Sequence, residues 1–84
     1  MSIAPITEDP RVLAAPAKLR AVAECVQYCP DGLPMHEVAA RCDTSLSTAQ
    51  RYLENLEWGG LIYKERQLGH GRATFVWRPC TGPV

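Results

Sequence analysis

The sequence predicts an α+β domain that is mainly helical, with three helices followed by a two-stranded β-hairpin. Three observations carry this. Apolar residues recur at three- and four-residue steps through three successive segments between Ala17 and Trp58. Two runs rich in β-branched and aromatic residues, Leu61 to Arg66 and Ala73 to Arg78, come next. Proline and glycine stand at the junctions, at Pro16, Cys29-Pro30-Asp31-Gly32, Pro34 and Gly59-Gly60. A chain of 84 residues allows one small domain. Such a domain buries only ~60% of the surface its unfolded chain exposes, so it depends on a tight core or on self-association.

Residues 1–16 contain Pro5, Pro10 and Pro16 without sustained periodicity and read as an N-terminal arm, with room for one short helical turn from Asp9-Pro10. Such an arm is mobile or docked on a partner. In the first helix Leu19, Val22, Ala23, Val26 and Cys29 form the apolar stripe, and Lys18, Arg20, Glu24 and Gln27 take the other face. Pro16 suits its first turn. Cys29-Pro30-Asp31-Gly32 ends it, because proline cannot continue a helix and Asp-Gly favours a turn. The second helix spans about Pro34 to Cys42, with Met35, Val38, Ala39 and Cys42 inward and His36, Glu37 and Arg41 outward.

Asp43-Thr44-Ser45 is a short polar connection of the kind that joins two helices at a steep angle. Ser45 is the expected N-cap of the third helix, with Ser47 and Gln50 as a competing capping box. Along this helix Ala49, Tyr52, Leu53 and Leu56 face the core, leaving Leu46, Ser47, Gln50, Arg51 and Glu54 outside. Gly59-Gly60 closes it, the first glycine being expected in a left-handed cap. A six-residue connection, Gln67 to Arg72, joins the two strands as a mobile hairpin tip, and Pro79 ends the second strand. The domain therefore occupies residues 17–78, and 79–84 form a C-terminal tail.

This element order is that of a winged helix-turn-helix domain. The segment from Val38 to Ile62, with Ser47-Thr48 early in the third helix, then Arg51, Leu53 and Leu56, and Gly60-Leu61 before the hairpin, resembles the DNA-binding segment of winged-helix bacterial transcription regulators, the IclR-like and MarR-like groups above all. Those groups usually hold a glycine and an apolar residue in the turn, where this chain has Asp43 and Thr44. The resemblance covers residues 17–78. It implies double-stranded DNA as the partner, the third helix in the major groove, and a role in transcription regulation.

The residues suit that chemistry. Formal net charge is zero, but residues 1–44 hold four basic against six acidic side chains, a net of −2, and residues 45–84 hold five against three, a net of +2. The basic half is the half with the third helix and hairpin. Arg to guanine and Gln to adenine are the favoured bidentate base contacts, and Arg51 and Gln50 share one outward face. Ser45, Ser47 and Thr48 lie at the positive end of the helix, where hydroxyls and unpaired N–H groups suit phosphate oxygens. Arg66, His70 and Arg72 place charge along the wing for backbone or minor-groove contact. Each has a plainer alternative: Arg51 as a solvated residue paired with Glu54 or Asn55, Gln50 as a capping-box partner of Ser47, the wing cations as ordinary edge charges, His70 as a loop histidine. A neutral monomer with few phosphate contacts binds weakly, so a homodimer is expected, with the exposed Val12, Leu13 and Tyr28 of the arm and first helix as the candidate interface. The alternative function is a winged helix that contacts protein and never DNA, for which an outward Leu46 is the argument.

Cys25, Cys29, Cys42 and Cys80 match no disulfide scaffold or zinc spacing; Cys29 and Cys42 fall on core stripes, and Cys80 in the tail is the expected reactive thiol. No cofactor or metal is expected. No phosphate-binding glycine loop, paired catalytic carboxylates or positioned nucleophile appears, so the chain does not read as an enzyme. No apolar run approaches the ~20 residues of a membrane span, and no signal peptide is evident, so a cytoplasmic protein is expected. A small-molecule effector is not expected, since no second domain is visible to hold one.

Overall fold

The computed structural model describes residues 5–69 and 72–80. After a 3-10 turn at Ile6–Glu8 come α1 (Pro10–Leu13), α2 (Ala17–Gln27), α3 (Met35–Arg41) and α4 (Leu46–Trp58), then β1 (Ile62–Gly69) and β2 (Arg72–Pro79), which pair antiparallel. The three long helices match those predicted. Pro16 and Pro34 stand one position earlier than a first-turn proline, as extended N-cap residues. No helix among the described residues is long and apolar enough to cross a membrane.

The core forms where the helical stripes meet. Val22, Ala23 and Val26 of α2 pack with Val38 and Ala39 of α3 and with Ala49, Leu53 and Leu56 of α4, all buried. Ile62 and Trp77 close the core from the hairpin. Leu33 makes an isolated antiparallel bridge with Trp77, its N–H donating to the Trp77 carbonyl at 3.0 Å and its carbonyl accepting from the Trp77 N–H at 2.8 Å. This bridge fastens the α2–α3 connection to the base of the wing.

Three expectations change. First, residues 5–14 dock on the domain itself. Ile6 and Val12 are buried in the core, so Val12 is no part of an exposed interface, whereas Leu13 and Tyr28 are exposed as expected. The Ile6 N–H donates to Gln27 Oε1 at 2.8 Å, and Asp9 caps α1 by accepting from the Arg11 N–H at 2.8 Å. The Arg11 guanidinium pairs with Asp9, holding that carboxyl below its ordinary range, and donates to the Gly59 carbonyl at 2.9 Å. Second, Gly59 is right-handed (φ −77°) and Gly60 takes the left-handed conformation (φ +75°), so the helix closes one residue later than predicted. Third, the ladder continues to Gly69↔Arg72, so only His70 and Gly71, outside the described residues, separate the strands. Cross-strand bonding extends strands through residues of weak β-propensity such as Gln67 and Gly69.

The arm's docking gives a direct expectation. Val12→Ala removes two buried methyl groups and should lower stability by about 1–2 kcal/mol, read as a lower urea midpoint at unchanged slope.

Candidate nucleic-acid interface

The N-terminus of α4 is built around Ser45. Its hydroxyl oxygen accepts from the Thr48 N–H at 3.2 Å, donates to Thr48 Oγ1 at 2.9 Å, and lies 3.3 Å from Ser47 Oγ. Ser45 is thus the N-cap. The turn before it holds Asp43 in the left-handed region (φ +52°), the one non-glycine residue with positive φ among those described. Short polar Asp tolerates this conformation, which is how the turn forms without a glycine. The Lys18 ammonium spans from α2 to donate to the carbonyls of Cys42 (2.8 Å) and Asp43 (3.3 Å), bracing the same turn.

Two flanks of α4 reach solvent and differ in character. Ser47 and Arg51 lie one turn apart on one flank, both exposed, and Arg51 makes no hydrogen bond or ion pair among the described residues. On the other flank Leu46, Gln50, Glu54 and Glu57 form a wall of a groove of roughly 500 Å³. Its opposite wall is Lys64, Phe75 and Trp77 of the hairpin. The Gln50 amide donates to Glu54 Oε1 at 3.0 Å, an (i, i+4) contact that occupies the group predicted to read a base. The two glutamates make the groove flank unfavourable to a polyanion, so the Ser47–Arg51 flank is the electrostatically open one.

On the wing, Arg66 is exposed and pairs in register with Phe75. Lys64, two residues earlier and on the same face, holds its ammonium 5.0 Å from the Phe75 ring centre and 5.6 Å from that of Trp77. Lys64 was absent from the predicted set. The strand's period of two, which puts residues 64 and 66 on one face, was the signal that points to it. Arg78 has a structural place instead, pairing with Glu65 at 3.0 Å and donating to the Pro30 carbonyl at 3.4 Å. His70 and the side chain of Arg72 lie outside the described residues. The structure therefore gathers Ser45, Ser47, Thr48, Gln50 and Arg51 on the front half of α4 and sets Arg66 apart on the wing.

Among the described residues no three His, Cys, Asp or Glu side chains converge as a metal site. Cys42 is buried in the core, and its thiol is pushed up to about 12 by burial and then by the adjoining Cys25 thiol. Because the folded state holds this proton more tightly than the unfolded chain, the contribution is complete below the thiol's ordinary value of 9.0 and is lost as pH rises toward about 12. The stability gap between the parent protein and Cys42→Ala should accordingly narrow between pH 8.5 and 11 in urea titrations.

Three helices, a braced turn, an exposed second helix of the pair and a hairpin beside it define a winged helix-turn-helix protein. The chain belongs to the IclR helix-turn-helix domain family, whose model matches residues 17–66. Domains of this family are the non-catalytic DNA-binding parts of transcription regulators. Among solved structures, the chain is similar to a "possible transcriptional regulator" from Methanosarcina mazei Go1, at 17% identity with a TM-score of 0.67. That likeness shows the fold, and it covers 82% of this chain but 59% of the other. No curated protein sequence gives a significant match.

Proposed function

We propose that this chain is a cytoplasmic transcription regulator that binds double-stranded DNA sequence-specifically as a homodimer, with α4 in the major groove and the hairpin along the backbone. The observation that carries this reading is the Ser47–Arg51 flank: an exposed guanidinium with no partner among the described residues, one turn from a hydroxyl-rich helix N-terminus. The helix N-terminus, with Ser45, Ser47 and Thr48, fixes register on phosphates, and Arg51 reads a base edge. Gln50 takes part once it leaves Glu54. Arg66, with His70 and Arg72 beyond it, supplies wing contacts. Leu13 and Tyr28, both exposed, are the residues of the arm and first long helix assigned to the dimer interface.

A salt-titrated gel shift on random duplex tests the DNA contact. Retention should fall steeply as salt rises, with a slope that counts phosphate contacts. Light scattering tests the dimer, which fails if the chain stays monomeric at high concentration. The second reading, contact with a protein chain, is favoured by one observation: Leu46 and Phe75, both half exposed, flank the groove beside α4. Absence of duplex binding at low salt decides for it.

A further inference from the structure

We propose that Cys25 and Cys42 are a thiol-oxidation site, closed to a reversible disulfide by a hydroperoxide, that ties α2 to the turn preceding α4. Their sulfurs lie 3.4 Å apart, one thiol donating to the other. This is an approach between two different elements: Cys25 is within α2, and Cys42 is the residue that ends α3. Both thiols are free. Cys25 is half-buried and Cys42 is 6% exposed, so Cys25 is the more accessible of the two and the one assigned the first contact with the oxidant.

The chemistry runs in two steps. Cys25 gives up its proton and its sulfur attacks the hydroperoxide oxygen; the O–O bond breaks, an S–O bond forms, the departing alkoxide or hydroxide takes a proton to leave as alcohol or water, and the sulfur is oxidised to a sulfenic acid. Cys42 then gives up its proton and attacks the Cys25 sulfur. The S–S bond forms, the S–O bond breaks, and the departing hydroxide takes a proton to leave as water. Burial holds the Cys42 proton tightly, so the second step should quicken as pH rises. A small-molecule thiol reverses the bond by exchange.

The position of Cys42 gives the bond its consequence. Its carbonyl and that of Asp43 are held by Lys18, Asp43 is the left-handed residue of the turn, and Ser45 caps α4 two residues further on. Drawing the sulfurs from 3.4 Å into covalent distance pulls on this short braced turn and so re-aims the front of α4. Cys29, two residues past the end of α2, has its Sγ 3.4 Å from the Arg41 guanidinium and is not the partner of Cys42; Cys80 is exposed on the C-terminal side of the wing.

The test uses the full chain carrying Cys80→Ser, which removes the exposed thiol, treated with hydrogen peroxide. Trypsin cutting at Arg20, Arg41 and Arg51 should release peptide 21–41 joined to peptide 42–51 under non-reducing conditions, with two free thiols lost per chain and restored by dithiothreitol. The link should persist when Cys29→Ser is added and vanish with Cys25→Ser. A link that survives Cys25→Ser, or peroxide products that are only sulfinic acids or joined chains, overturns the site. The urea midpoint should rise on oxidation, because the bond closes a loop in the unfolded chain. The effect on α4 rests on the DNA reading: oxidised protein should hold duplex severalfold less tightly, recovering on reduction. Equal binding by the linked and reduced forms overturns the coupling, whereas reduced protein that binds no duplex overturns the DNA reading and leaves the thiol site standing on its peptide map.

Discussion

Arg51→Ala is expected to weaken binding to a preferred duplex by about 5- to 150-fold, the ~1–3 kcal/mol of one bidentate base contact, and to relax preference at a single base position. The magnitude follows from where the residue sits. Arg51 is exposed on α4 one turn past Ser47, has no hydrogen bond or ion pair among the described residues, and so loses no internal contact when it meets a base. For the same reason its removal should leave folding intact, and an unchanged circular dichroism spectrum and urea midpoint form the control. Arg66→Ala should behave differently, lowering affinity evenly across sequences and reducing the salt slope by about one, as a phosphate contact does. Gln50→Ala should matter less than Arg51→Ala, because its amide is already engaged by Glu54 at 3.0 Å. If Arg51→Ala shifts neither affinity nor preference in quantitative gel shifts, the flank does not read DNA and the groove-side protein contact gains ground.

The helical frame was legible because its signal is periodic over long windows. Val22, Val26, Val38, Leu53 and Leu56 recur at the spacing that buries one face, and all are buried. Ser45 was legible as a cap because a hydroxyl before an amphipathic run satisfies a helix-end donor, and the Thr48 N–H indeed bonds to it. In the arm the short helical turn from Asp9-Pro10 was legible from its cap and proline, but the docking was not: segments this short show no periodicity, and only tertiary contact reveals that Ile6 and Val12 are buried. Leu33 was missed for a related reason, since a one-residue bridge has no pattern. At the site, sequence supplied residue types but not their pairing. It offered Ser47 as a capping-box partner for Gln50 and Glu54 as a partner for Arg51, whereas the structure pairs Gln50 with Glu54. Nor could it show that Lys64 lies over Phe75 and Trp77, which depends on strand register.

Gly32→Ala is expected to be the most damaging single-methyl change in the domain. Gly32 has φ +103°, a conformation that side chains rarely adopt, so alanine is strained there before any contact is counted. Space then adds to strain: a Cβ at this position would stand 2.6 Å from Val76 Cγ2 and 2.9 Å from Val76 Cβ. Val76 cannot simply swing aside, because it is buried and its strand is fixed at Trp77 by the bridge to Leu33. The outcome should be a loss of about 2–4 kcal/mol, combining backbone strain with overpacking, from a small domain whose total stability is of order 5–15 kcal/mol. Thermal unfolding should show a midpoint lower by roughly 10 °C or more. A double variant, Gly32→Ala with Val76→Ala, separates the two causes. It should recover the steric part and leave the backbone part, so recovery of the full parent midpoint would show that φ at Gly32 carries no cost. Because Gly32 precedes the Leu33 bridge, this glycine sets how the wing sits against the helices, and wing contacts to DNA should weaken along with stability.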